Sequence, residues 1–126
     1  MGDRALIQLT DSQGELSPVL YLHWGGKGTP ALLDSFFDRF LIKRGADVSY
    51  GFARLVSYAC ESNMGEVLGV GVWNCDALLT ADDSHGDAGI FVVDLDKHTV
   101  RYGGGYAPKI AANTPWTWEQ MQTPGE

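Results

Sequence analysis

The residue pattern predicts an α+β domain in which two helices pack on one face of a mostly antiparallel five-stranded sheet, in the order ββααβββ. Three observations carry this reading. Two β-rich runs joined by turn residues open the chain, a stretch with apolar residues in adjacent pairs every four positions follows, and three further β-rich runs come after it. Two helices lying across one face of a sheet is the simplest packing that buries both apolar stripes.

Residues 4–10 (Arg-Ala-Leu-Ile-Gln-Leu-Thr) read as the first strand, residues 11–14 (Asp-Ser-Gln-Gly) as a turn, and residues 19–24 (Val-Leu-Tyr-Leu-His-Trp) as the second strand of a hairpin. Gly25, Gly26 and Gly28 end that strand, and Thr29 before Pro30 makes an N-cap with proline at the first helical position. From 30 to 44, Leu32, Leu33, Phe36, Phe37, Phe40 and Leu41 form one broad stripe, Asp34, Asp38, Arg39 and Lys43 oppose it, and Gly45 stops the helix. A second helix over 49–63 places Phe52, Leu55, Val56, Ala59 and Cys60 at helical spacing, with Asn63, Met64 and Gly65 ending it. Residues 67–73 read as the third strand, whose small glycines point to a close neighbour on one face. Residues 74–87 lack periodicity and read as an exposed acidic loop, with a helical turn at Leu78 and Leu79. Residues 89–94 and 99–102 form a second hairpin around the turn 95–98.

Residues 1–105 therefore read as a single domain, and 106–126 as a C-terminal tail containing Pro108, Pro115 and Pro124. Trp116 and Trp118 are expected to dock that tail on the domain, because two exposed indoles would leave a large apolar area in water.

Nine Lys and Arg against sixteen Asp and Glu leave a net charge of −7. That field repels phosphate backbones, which argues against direct nucleic-acid binding, and favours basic partners, although acidity also serves solubility. Cys60 and Cys75 lack C-x-x-C spacing, so neither a zinc site nor a disulfide framework is indicated. No cationic and apolar leader opens the sequence and no apolar run spans a bilayer, so the expected compartment is the cytoplasm.

Four separated matches, Arg4-Ala5-Leu6-Ile7, Tyr21-Leu22-His23-Trp24-Gly25-Gly26, Tyr50-Gly51-Phe52-Ala53-Arg54-Leu55 and Gly86-Asp87-Ala88-Gly89-Ile90-Phe91, resemble a family of small proteins of phages, prophages and other mobile elements. They span roughly residues 4 to 93. Asp82 and Asp83 and the chain after Gly103 depart from that pattern. The resemblance implies a small accessory protein acting in a bacterial host cell. By analogy of setting, size and acidity, it resembles inhibitors of bacterial immunity such as anti-CRISPR proteins, which occupy a surface of a defence complex.

No nucleophile elbow or H-E-x-x-H motif occurs, and His23, His85 and His98 fall in different turns, so no catalytic group is assigned. Asp76, Asp82, Asp83, His85 and Asp87 are expected to meet a basic surface on a host defence protein or ribonucleoprotein. The spacing of these acids does not match a calcium loop, and neither metal nor cofactor is expected. The alternative is a metabolite- or nucleotide-binding module or enzyme centred on His23, Trp24 and Lys27, where a Gly-Gly-Lys-Gly turn leads into a helix N-terminus. The open edges of such a sheet could also pair two copies.

Overall fold

The computed structural model describes residues 3–23, 25–62, 69–106, 110 and 113–121. Trp24, the helix stop at 63–65, residues 67 and 68 of the third strand, Pro108 and Pro124 lie outside the described residues. The class is α+β, with six strands among the described residues rather than five and a mixed rather than mostly antiparallel sheet: β1 (Ala5–Thr10), β2 (Leu16–Leu22), β3 (Val70–Trp73), β4 (Gly89–Asp94), β5 (Thr99–Gly103) and β6 (Thr117–Gln120). Their spatial order is β3-β2-β1-β4-β5-β6.

Three ladders are antiparallel, β1 with β2, β2 with β3 and β4 with β5, while β1 with β4 and β5 with β6 are parallel. The first parallel ladder arises because the chain leaves β3 at one edge, crosses the sheet and enters β4 beside β1 in the same direction. The second arises in the region read as a tail, where Thr117–Gln120 pairs with β5. A four-residue run of Thr, Trp, Glu and Gln carries too weak an alternation to announce a strand by itself.

The second strand begins three residues earlier than its apolar pattern suggests, at Leu16, because a bulge admits Pro18. At the irregular register between Gln8 and Thr10, the Leu9 N–H donates to Ser17 Oγ at 2.8 Å, and the Ser17 hydroxyl donates to the Pro18 carbonyl at 2.6 Å. A serine side chain thus takes over part of the ladder at a residue pair that cannot complete it.

The first helix, α1 (Thr29–Phe36), runs on through a π-helical turn, Phe37–Leu41, and a closing turn, Ile42–Arg44. Thr29 is not the N-cap: Gly28 holds that place, and the buried Thr29 hydroxyl donates to the Gly26 carbonyl at 2.6 Å. Gly45, at φ 88°, ends the helix with its N–H on the Leu41 carbonyl at 2.8 Å. The second helix, α2 (Val48–Ser62), starts on Asp47, whose Oδ1 accepts from the Tyr50 N–H at 3.0 Å. Gly51 lets the two helices approach, since a Cβ there would stand 3.2 Å from Phe40 and 3.3 Å from Phe36.

Both helices cover one face of the sheet, where Ile7, Leu9, Leu20, Phe91 and Val93 meet Leu33, Phe36, Phe40 and Leu55. Burying each such side chain contributes roughly 1.5–3 kcal/mol. Trp116 completes this core, with its indole N–H donating to the Leu33 carbonyl at 3.0 Å and its ring edge-on to Phe37. The opposite face carries Leu6, Val19, Ile90 and Val92, covered by Leu79 and Met121, with Tyr21 and Cys75 packed beside them. The segment read as an exposed loop therefore also roofs the second face of the sheet. Its short helix is a 3-10 turn at Ala81–Asp83, not a turn at Leu78 and Leu79.

Candidate functional site

Gln8 is the buried anchor of the acidic segment. On the central strand β1 it alternates with Ile7 and Leu9, so it points to the second face, where it has no exposure to water. Its Nε2 donates to the Ala77 carbonyl at 3.0 Å, and its Oε1 accepts from the buried Leu79 N–H at 3.0 Å. A primary amide supplies both a donor and an acceptor, which lets one side chain clamp a passing backbone. Thr80 and Asp83 then form a capping box around the 3-10 turn, with the Thr80 N–H on Asp83 Oδ2 at 2.8 Å. Ser84 donates from Oγ to the Gly104 carbonyl.

The far end of the segment is held by Arg4, whose Nε lies 2.6 Å from Asp87 Oδ2 and whose Nη2 donates to the His85 carbonyl at 3.3 Å. The Arg4 N–H also donates to Asp87 Oδ2, at 3.2 Å. Hydrogen bonding to Arg4 holds the Asp87 carboxyl below the usual aspartate range, and the same bond raises the Arg4 guanidinium. A depressed carboxyl pKa contributes stability that is present above the unfolded-state value and is lost as pH falls through the folded-state value. Asp87→Asn is therefore expected to lower the melting temperature at neutral pH and to flatten its decline on the acid side, read by thermal unfolding from about pH 7 down to about pH 2. Parallel curves for the two proteins would remove the Arg4 tie from this account.

With the segment held at both ends, its remaining groups face water. Asp76 and Asp82 are exposed and make no ion pair within 4 Å among the described residues. Asp83 is exposed as well, with one carboxylate oxygen on Thr80, whereas Asp87 is half-buried and turned to Arg4. His85 lies edge-on to Tyr21, with ring centroids 5.7 Å apart, and Tyr21 stacks on Trp73 at 5.5 Å. The Tyr21 hydroxyl meets His23 Nδ1 at 2.7 Å. The structure thus brings His23 and His85, which fall in separate turns of the sequence, against one tyrosine. His98 is elsewhere, packed on Phe37 at 5.0 Å.

Gly71 stands opposite Tyr21 in the register, and a Cβ there would meet only the Tyr21 ring, at an ordinary contact distance of 3.8 Å, so the close neighbour expected from the glycines of this strand is not found at Gly71. A shallow depression of about 520 Å³, lined by Leu16, Pro18, Asn74, Cys75 and Asp76, adjoins the end of β3. Tyr21, Trp73 and Gln8 escaped the sequence reading as site residues. Period-two alternation does place Tyr21 between Leu20 and Leu22 and Gln8 between Ile7 and Leu9, which marks both as facing away from the helices.

The turn proposed for anion binding is differently occupied. Gly26 N–H donates to the Asp3 carbonyl at 2.8 Å, Lys27 N–H to Asp3 Oδ1 at 3.0 Å, and Gly28 N–H to the Gly25 carbonyl at 2.9 Å. The Tyr106 hydroxyl also donates to Asp3 Oδ1, and this bond pushes the Tyr106 pKa up to about 12. The chain's own carboxylate stands where an anionic ligand would have to sit. Lys27 is exposed, and Trp24 lies outside the described residues. Among the described residues, no three His, Cys, Asp or Glu side chains are grouped to hold a metal ion, and no helix is long and apolar enough to cross a membrane.

Fold and site together define a small α+β scaffold: a mixed six-stranded sheet with two helices on one face and a pinned acidic segment on the other. No family model, curated protein or solved structure matches the chain.

Proposed function

We propose that the protein acts by binding another protein, through an acidic surface formed by Asp76, Asp82 and Asp83 together with the adjoining rings of Trp73, Tyr21 and His85. The observation that carries the reading is the pinning of residues 77–87 by Gln8 and Arg4, which leaves Asp76 and Asp82 displayed on a fixed backbone. Carboxylates on a fixed frame lose little conformational freedom on docking, and their field steers a basic partner into place. The resemblance to small mobile-element proteins supports a partner of one kind: a basic-surfaced component of a host defence complex, protein or ribonucleoprotein, which the bound chain would occlude. The net charge of −7 favours such a basic protein surface over bare nucleic acid.

The test is affinity recovery from a bacterial lysate with intact immune systems, at about 50 mM and about 500 mM salt, where screening shortens the reach of surface charges to a few ångströms. Recovery of a discrete partner is expected at low salt. It should fall about tenfold at high salt and by a similar factor for Asp76→Lys/Asp82→Lys at low salt. Equal recovery by the double variant would remove the acidic surface from the proposal. The alternative at His23, Trp24 and Lys27 is less favoured, because the Gly26 and Lys27 amides that would cradle an anion already bind Asp3.

A further inference from the structure

We infer that β3 is a docking edge, and that an extended, basic polypeptide segment of the partner adds to it as a further strand. This rests on the protein-binding reading above and names the geometry by which that surface is used. β3 ends the sheet, with only β2 paired to it among the described residues. Exposed edges are normally blunted by lysine, proline, a bulge or a covering element, because unpaired N–H and C=O groups template another strand. β3 and the opposite edge, β6, are equally short at four residues each, but β3 reads Val-Gly-Val-Trp without charge or proline, whereas β6 carries Glu119 and follows Pro115.

Val72 is 49% and Trp73 41% exposed, and they lie on opposite faces of the strand, so an added strand would cover apolar area on both. Trp73 is held in place by its stack on Tyr21, and His85 stands 6.5 Å from it on the acidic segment. An arginine or lysine on the incoming strand would therefore meet a fixed indole face and the exposed carboxylate of Asp76, three residues beyond Trp73. Charge selects this occupant over a second copy, which would bring another −7 to the same edge.

The probe is a synthetic peptide of alternating Lys and Val, compared with a peptide of the same composition in alternating D and L residues, which cannot place successive side chains on opposite faces of a twisted strand. Amide hydrogen exchange across β3 is followed by NMR on the full chain. The all-L peptide is expected to slow exchange of outward-facing amides in Val70–Trp73 about tenfold and to shift the Trp73 indole signal, and the mixed-chirality peptide to do neither. If both peptides bind equally without protecting β3, acidic attraction stands but strand addition fails. Protection that rises with protein concentration alone would replace the peptide with a second copy and overturn the inference. So would a lysate partner recovered by the chain while β3 stays unprotected in the complex.

Discussion

Gly89→Ala is expected to destabilise the protein by roughly 3–5 kcal/mol, combining a strained backbone conformation with a displaced ladder. Gly89 opens β4 at φ 110°, a region that side-chain-bearing residues rarely adopt. A Cβ there would press into the Gly103 carbonyl oxygen across the β4–β5 pair and stand 3.1 Å from the Gly105 nitrogen. Both obstacles are backbone, so no side chain can swing aside to relieve them. Gly14→Ala supplies the control: its φ is 81°, but nothing lies within 4 Å of the added carbon. Conformational strain alone should cost about 1–2 kcal/mol there. Urea unfolding of both variants measures the difference. Equal costs would show that close approach at Gly89 contributes nothing.

Gln8→Leu is expected to cost about 2–4 kcal/mol, with most of the structural change confined to the acidic segment. Leucine matches the size of glutamine, so packing on the second face is nearly preserved, but the buried Leu79 N–H loses its partner and the Ala77 carbonyl keeps only the weak donor of the Cys75 thiol. A buried polar group left unsatisfied costs about 1–3 kcal/mol, and the Ala77 carbonyl, at an exposed residue, can recover part of that from water. Hydrogen exchange should accelerate across residues 76–83 more than in the helices. Partner recovery should fall about tenfold although every carboxylate is still present, since a mobile display must be ordered on binding. Unchanged exchange in residues 76–83 would mean that Gln8 is not the clamp. Unchanged recovery with a loosened segment would mean that rigidity is irrelevant to binding.

The exposure of the candidate site's acids was partly legible in the sequence. Asp76, Asp82 and Asp83 are exposed in the segment whose composition marked it, because acidic residues without apolar periodicity have nothing to bury. Asp87 has the same composition around it, yet it is drawn to Arg4, 83 positions away in sequence. His23 and His85 could not be paired by inspection either, since what unites them is Tyr21 on one strand and a segment crossing from another edge of the sheet. The Gly-Gly-Lys-Gly turn invites an anion by its local pattern alone. Only the position of Asp3 shows that a carboxylate of the same chain already binds there.

By itself, the sequence determined the two helices, the β1–β2 and β4–β5 hairpins and the α+β class, because apolar spacing, caps and turn residues act over a few positions. Tertiary structure alone decided the parallel pairing of β1 with β4, the recruitment of 117–120 as a sixth strand, and the roof over the second face. Those features depend on contacts such as Gln8 with Leu79, 71 residues apart, whose energy exists only once the chain has closed the intervening loop.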